Sequence, residues 1–175
     1  MPEWYGGSYL NSEFALSRED QWREQWERTE RWFKRVQLIQ EKSVTCQLTA
    51  EDIDTIFAYF QNAFHLRDWI EDSRPPLRNK LETFVRSNFE IGACRDICNG
   101  LKHKRLTRPS HDADFNFYRE YDYDTAETKP DRNPTQYRFA FADGERVRKF
   151  DAFELASRCR GLWMIFIQSN ILSSS

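Results

Sequence analysis

Hydrophobic side chains recur every three or four residues along two long stretches near the start of the chain. The first stretch contains Trp22, Trp26, Trp32, Phe33, Val36 and Ile39. The second contains Ile53, Ile56, Phe57, Phe60, Phe64 and Ile70. This spacing places the apolar residues on one face and predicts two amphipathic helices. We predict that the first ends near Lys42 and that Pro75-Pro76 terminates the second.

Two shorter helical stretches follow. One opens near Leu77 and continues through Leu81, Phe84 and Val85; the next has a buried stripe of Ile91, Cys94, Ile97, Cys98 and Leu101 and ends near Lys104. Three residue pairs have the spacing of a capping box, namely Ser17 with Asp20, Thr49 with Asp52, and Ser87 with Glu90. The last pair predicts a break or kink between the two shorter stretches.

The hydrophobic period changes in the second half of the chain. Apolar and polar residues alternate around Phe115, Phe117, Tyr121 and Tyr123, and again around Tyr137, Phe139 and Phe141. Alternation predicts half-buried strands, and Asp143-Gly144 predicts a hairpin. From Asp151 onward, apolar residues cover most of the circumference of a last helix, which we therefore expect to be buried.

These patterns predict a mainly α (α+β) fold. We expect a four-helix bundle with a small antiparallel β-hairpin or meander inserted before the last helix. The length of 175 residues favours a single domain, 1–175. Within it we expect an N-terminal arm at 1–16, helices at 17–104, the β insertion at 112–150 and the C-terminal helix at 151–171.

Charge and hydropathy narrow the class of protein. The longest apolar run, Leu162 to Ile167, is much shorter than the roughly 20 residues that cross a bilayer, and the N-terminus does not resemble a signal peptide. We therefore expect a cytoplasmic protein without a membrane partner. The net charge of -2 conceals a local dipole. Residues 102–108 hold five cationic side chains if His103 is protonated, whereas residues 110–131 hold seven acids and two bases.

The sequence has four cysteines, which are consistent with a cytoplasmic protein: Cys46, Cys94, Cys98 and Cys159. Cys94 and Cys98 lie four residues apart on a predicted helix, whereas zinc sites usually have closer pairs with a matching second pair. We interpret the cysteines as small buried hydrophobic residues in a reducing environment.

Polar residues interrupt the apolar pattern on two of the predicted helices. One strip consists of Gln61, His65, Asp68 and Asp72, and the other of Asp96, Asn99 and His103, flanked by Arg95 and Lys102. The strips would face each other if the helices were antiparallel neighbours. A histidine held by a carboxylate is a general acid or base near neutral pH, and nearby cations stabilise a phosphate.

The candidate catalytic residues are therefore His103, Arg95, His65 and Asp68. The candidate binding residues are Asn99, Lys102, Asp96, Lys104 and Arg105. Two other interpretations remain open: the strips form a buried polar network that fixes helix register, and the basic helix end only complements the helix dipole rather than binding RNA or nucleotide phosphate. A metal site on His65, Asp68 and His103 lacks the usual ligand count, so we predict neither a metal nor a cofactor.

Two segments carry a family resemblance. Residues 63–70 and 94–103 resemble a group of small uncharacterised bacterial proteins that share a His-Leu-Lys/Arg-Asp-Trp helix and an Asn-Gly-x-Lys-His helix end. The late hairpin that leads into residues 152–156 is similar to theirs as well. The resemblance covers roughly Thr49 to Ile167.

More distantly, the arrangement resembles the HEPN superfamily (higher eukaryote and prokaryote nucleotide-binding domains). The resemblance implies a helical bundle, often a homodimer, that acts as a metal-independent ribonuclease in toxin and phage-defence systems. Arg95 and Asp96 match the start of the family motif, and seven residues separate Arg95 from His103, more than in the family. The hypothesis is an RNA-cleaving or RNA-binding domain. The alternative is a non-catalytic structural domain that meets a protein partner.

Overall fold

Residues 17–102 and 115–174, which the computed structural model describes, form six α-helices and a three-stranded antiparallel sheet. The mainly α class with a small sheet before the last helix is thus confirmed. In chain order the elements are α1 (Trp22–Ser43), α2 (Ala50–Ser73), α3 (Arg78–Ser87), α4 (Phe89–Lys102), β1 (Asn116–Tyr121), α5 (Tyr123–Thr128), β2 (Thr135–Asp143), β3 (Arg146–Asp151) and α6 (Ala152–Asn170). None of the helices within these ranges has the length and apolarity needed to cross a membrane. The expected arm, residues 1–16, lies outside the described residues.

Helices α1 and α2 pack side by side in opposite directions. Near the start of α1, Gln25 Nε2 donates to the carbonyl oxygen of Asn62 at 2.8 Å. Near its end, Lys42 Nζ lies 2.6 Å from Asp52 Oδ2. Because these contacts occur in opposite order along the two helices, the pair is antiparallel.

Of the three predicted capping boxes, only the one at Thr49 is present. Ser87 belongs to the last turn of α3, so it is not the N-cap of α4, which begins at Phe89. Thr49 and Asp52 form the predicted capping box, in which each side chain accepts a hydrogen bond from the other residue's backbone N–H. At Ser17 the prediction is wrong, because its hydroxyl donates to the Asp20 carboxylate instead of accepting from the backbone. A 3₁₀ turn follows Ser17, and α1 begins only at Trp22.

The predicted break between the two shorter helices is present at Asn88. This residue has an extended backbone, with φ -115° and ψ 111°, and separates α3 from α4. Its side chain donates to the carbonyl oxygen of Phe84 at 2.7 Å, which satisfies one of the free carbonyls at the end of α3. The break lets α4 leave the line of α3 and pack against α2.

Helix α4 occupies the centre of the fold. The four consecutive residues from Ile91 to Cys94 are all buried, and so are the three from Asp96 to Cys98. Consecutive buried residues point in all directions around a helix, so α4 has almost no solvent face over these turns. Its neighbours are α2, α3 and α6.

The sheet has the order β1-β2-β3, and its aromatic inner face packs on α2. Phe139 of β2 stands opposite Phe117 of β1 and Phe150 of β3. The ring of Phe139 also lies 5.7 Å from that of Phe57 and 5.4 Å from that of Phe60. The apolar residues of β2, which alternate with polar residues as predicted, therefore face the helices.

The predicted hairpin is also present, one residue further along than the Asp-Gly pair suggests. Asp143 pairs with Arg146, so the two-residue loop consists of Gly144 and Glu145. Gly144 has φ 62°, a left-handed conformation that glycine adopts without a steric penalty. The short helix α5 was not expected within the β region; the Asp122 side chain caps it by accepting from Thr125 N.

Helix α6 covers α4, and its burial matches the prediction. The Asp151 side chain caps its start, accepting hydrogen bonds from the backbone of the first turn. Cys159 Sγ donates to the carbonyl oxygen of Glu90 at 3.3 Å. Arg160 makes two hydrogen bonds to the Glu30 carboxylate, at 2.7 and 2.8 Å, which join α6 to α1.

Gly100 allows the ring of Phe115 to approach α4. A Cβ at Gly100 would lie 2.7 Å from Phe115 Cε1, whereas a Cβ at Gly161 of α6 would meet no atom within 4 Å. We predict that Gly161→Ala raises the free energy of unfolding by about 0.5–1 kcal/mol, the usual gain from replacing a helical glycine. Gly100→Ala should lower it by about 1–2 kcal/mol because the Phe115 ring must move. Urea denaturation measures both, and equal stabilisation by the two substitutions would contradict the close approach.

Asp52 makes the stability depend on pH. Its hydrogen bonds to the Lys42 side chain and the Thr49 backbone lower its pKa below the ordinary value of 3.8. A lowered folded-state pKa adds stability above the unfolded pKa, and this stability is lost as pH falls through the folded value. We predict that Asp52→Asn lowers the free energy of unfolding by about 0.5–2 kcal/mol at pH 7. The difference from wild type should shrink below about pH 4.

The matched control is Asp54→Asn, an exposed position two residues further on. It should change the free energy of unfolding by less than about 0.5 kcal/mol. Urea denaturation at neutral and acidic pH measures both variants, and a constant difference at all pH values would refute the role given to Asp52.

Candidate functional site

The candidate site is the α2–α4 seam, where two cysteines of α4 meet polar atoms of α2. Cys94 Sγ donates to the carbonyl oxygen of Phe60 at 3.3 Å, and Cys98 Sγ lies 3.7 Å from His65 Nε2. The two contacts occur in the same order along both helices, so α2 and α4 run in the same direction. The strips were expected to meet by antiparallel packing; the structure brings α2 and α4 together by parallel packing.

His65 is the accessible member of the contact between His65 and Cys98. The histidine is half-buried, whereas Cys98 is fully buried. An imidazole can donate or accept a proton near neutral pH, and here its Nε2 is held against the thiol. The α2–α4 seam thus has an imidazole at the edge of a buried interface.

The thiols of Cys94 and Cys159 are packing groups that donate to helix carbonyl oxygens. Burial raises the pKa of the Cys94 thiol, and the neighbouring Cys159 thiol raises it further, so Cys94 stays neutral. Cys94, Cys98 and Cys159 are buried, as the sequence predicted. The prediction is wrong for Cys46, which is exposed because it lies in the connection that follows α1.

The other candidates on α4 divide into buried and accessible residues. Asp96 is fully buried, so it makes its contacts inside the protein. It precedes Cys98 by two positions, which places it about 200° around the helix from the cysteine. Arg95 and Asn99 are half-buried and lie one turn apart on the same side of α4. Of the α4 candidates whose burial the structure describes, Arg95 and Asn99 can reach a ligand.

Asp68 belongs to the acidic end of α2. Its side chain is exposed, and Oδ1 lies 3.0 Å from the Arg67 guanidinium. From the sequence we expected the Asp68 carboxylate to hold the His65 imidazole. The structure instead pairs Asp68 with Arg67 and places His65 against Cys98.

Three candidates lie outside the described residues, namely His103, Lys104 and Arg105. Lys102 is the last residue of α4. It therefore stays a prediction that His65 and His103 face each other and that the basic segment binds phosphate.

The contact between Cys98 and His65 was not predicted from the sequence. Cys98 belongs to the apolar stripe of α4, although Cys94 and Cys98 have the same four-residue spacing as Gln61 and His65. These matching spacings on two helices could have indicated that Cys98 and His65 lie in contact. The direction of α4 was not available from local sequence, because it depends on the single extended residue at Asn88.

The fold and the α2–α4 seam define a mainly α protein in which a half-buried imidazole rests against a central helix. The chain matches no family model, no curated protein and no solved structure. The resemblance to HEPN domains thus stays a prediction.

The burial of the thiols can be checked by their reactivity. We predict that Cys46 alone among the four cysteines reacts rapidly with Ellman's reagent in the native protein, since the other three are buried. All four should react in concentrated guanidinium chloride. Cys46→Ser should abolish the fast phase, whereas Cys94→Ser should keep it. Fast labelling that persists in Cys46→Ser would contradict the burial of Cys94, Cys98 and Cys159.

Proposed function

We propose that the chain binds RNA at the edge of the α2–α4 seam and cleaves it without a metal, as the resemblance to HEPN domains implies. The observation that supports this is the position of His65, a half-buried imidazole 3.7 Å from Cys98. Arg95 and Asn99 lie on a partly exposed side of α4, and the chain continues from there into the basic residues 102–108. A proton-transfer group and cations close to one helix end suit a phosphodiester substrate.

In the proposed reaction, one imidazole removes the proton of a ribose 2′-hydroxyl, and the oxygen attacks the adjacent phosphorus. The bond from phosphorus to the 5′-oxygen breaks, a 2′,3′-cyclic phosphate forms, and the second imidazole protonates the leaving oxygen. His65 and His103 are the proposed pair, while Arg95 and Lys102 bind the phosphate and Asn99 orients it. DNA lacks the 2′-hydroxyl and is not a substrate.

The proposal extends to the setting of the protein. We propose a cytoplasmic protein, and the resemblance to HEPN domains implies a homodimeric ribonuclease of a toxin or phage-defence system. Lys104 and Arg105 would add cationic side chains along the RNA backbone.

Cleavage of a fluorescently labelled single-stranded RNA tests the proposal, with a chelator present throughout. We predict that wild type yields 2′,3′-cyclic phosphate ends. His65→Ala and His103→Ala should each lower the rate at least about 100-fold, because loss of a general acid or base costs that much. Arg95→Ala should lower it as well. The control is Arg86→Ala, which removes an exposed arginine from α3 and should retain the wild-type rate.

Each variant's fold is checked by circular dichroism before its rate is compared. If His103→Ala and Arg95→Ala cleave RNA as fast as wild type, the active site has been misassigned. If wild type leaves RNA of every sequence tested intact, the catalytic function is refuted.

The full burial of Asp96 and Cys98 favours a second function, that of a non-catalytic interaction domain. In it, the polar residues of α2 and α4 fix the register of the two helices, and the surface meets a protein partner. His65→Ala or Asn99→Ala would then lower the melting temperature by about 2–4 °C per kcal/mol lost, while wild type shows no ribonuclease activity.

A further inference from the structure

The solvent side of α6 changes its chemistry at Gly161. In the first half of the helix, charged residues face solvent, and Arg158 lies 2.7 Å from Glu154. From Gly161 to Ser175 the sequence has no charged residue. Ile165, in the second half of α6, is 61% exposed although its side chain is large and apolar. A surface helix normally carries charged or polar residues on its solvent side, and here an apolar side chain takes their place.

An apolar groove lies beside this half of α6, against α3. Its volume is about 390 Å³. Phe84 of α3 and Phe166 of α6 line it, with ring centres 4.8 Å apart. Leu172, two residues after the lining residue Asn170, adds a second exposed apolar side chain. We call the cavity, together with Ile165 and Leu172, the α3–α6 groove. An apolar concavity flanked by exposed apolar side chains indicates a docking surface.

The α3–α6 groove carries an uncompensated positive charge. Lys80 is the charged residue among those that line the cavity, and the others are the two phenylalanines and uncharged polar residues. Lys80 is exposed and takes part in no ion pair among the described residues. The acid of α3, Glu82, does not line the cavity. An apolar groove with a free ammonium group favours an occupant that is both apolar and acidic.

Residues 1–16 of this chain have that composition. Their charged side chains are Glu3 and Glu13, and the first basic side chain of the sequence is Arg18. Aromatic rings pack edge-to-face on other rings, and Phe84 and Phe166 offer such rings in the groove. Four residues of the segment are aromatic: Trp4, Tyr5, Tyr9 and Phe14. The segment thus matches the groove in apolar character and in charge.

Residues 1–16 are long enough to reach the groove. They join the described chain at Ser17, next to the end of α2, where Arg74 Nε donates to the carbonyl oxygen of Glu19 at 2.9 Å. The 3₁₀ turn Pro75–Leu77 then leads from Arg74 directly into α3. An extended segment of this length spans up to about 50 Å, whereas a globular chain of this size has a diameter of about 40 Å.

We propose that residues 1–16 dock on the α3–α6 groove of their own chain. Their aromatic side chains cover Phe84, Phe166 and Ile165, and a glutamate of the segment approaches Lys80. Docking removes apolar surface from water, which stabilises the contact. The groove contains neither His65 nor the accessible residues of α4, so it is separate from the proposed ribonuclease site.

Paramagnetic broadening in NMR spectra of the full chain tests the proposal. A nitroxide is attached to Ser8→Cys in a chain that also carries Cys46→Ser, which removes the exposed native thiol. We expect the amide signals of α3 and of the second half of α6 to lose most of their intensity, relative to the same sample after reduction with ascorbate. Signals of β3 should keep theirs, because the 19 residues of α6 place β3 about 28 Å from the far end of that helix.

Ile165→Asp should restore the lost intensity, because it places a charge in the docked surface. The matched control is Val147→Asp, which changes an apolar residue of the same 61% exposure on β3 and should leave the broadening unchanged. Trp4→Ala is a second variant that alters none of the contacts among the described residues, and it should also weaken the broadening. Circular dichroism checks that each variant is folded.

Full intensity of the α3 and α6 signals beside the nitroxide would overturn the proposal. So would equal recovery in Ile165→Asp and Val147→Asp, or unchanged broadening in both Ile165→Asp and Trp4→Ala. A mixture of nitroxide-labelled chain with isotope-labelled chain that has no nitroxide detects the other occupant. Broadening in this mixture assigns the groove to a second copy and overturns docking within one chain. None of these outcomes depends on RNA cleavage.

Discussion

The close packing of α4 through small side chains is the constraint on which the rest of the fold depends. Gly92, Ala93, Cys94 and Cys98 are buried in the middle of this helix. Small residues let neighbouring backbones approach, and thiols then reach carbonyl oxygens across the contact, from Cys94 to α2 and from Cys159 of α6 to α4. Gly100, which has no side chain, likewise lets the ring of Phe115 approach α4 closely. Larger side chains at these positions would push α2, α6 and the ring of Phe115 away from α4.

The same constraint explains where polar chemistry can occur. A helix that is buried on nearly all sides leaves only its edges to solvent, and on α4 those edges carry Arg95 and Asn99. Ion pairs between helices lie at the perimeter, where Arg160 joins Glu30 and Arg158 joins Glu90, whereas Asp96 of α4 is buried. Half-buried pairs of this kind orient helices more than they add net stability.

Local features of the fold could be predicted because they depend on neighbours in sequence. The capping box at Thr49, the break near Asn88 and the hairpin at Gly144 each rest on a few consecutive residues. The helix direction and the partner of His65 could not, since they depend on how α4 packs after the break. Ser17 was misjudged for a related reason: Asp20 also binds Arg23, and this competition is not visible in a four-residue pattern. For the site, burial was predicted correctly for three of the four thiols, whereas the separation of Asp68 from His65 required the packed structure.

The covering of α4 by α6 has a consequence for synthesis of the chain. Glu90 and its partner Cys159 are 69 residues apart, so α4 leaves the ribosome well before the helix that covers it. At roughly 5–20 residues per second, the nascent chain waits several seconds with the apolar surface of α4 uncovered. During that interval α2 and α3 shield part of the surface, but the thiols and aromatic rings that face α6 are open to chaperones and to other nascent chains. A ribosome that stalls within the β region would hold the protein in this state.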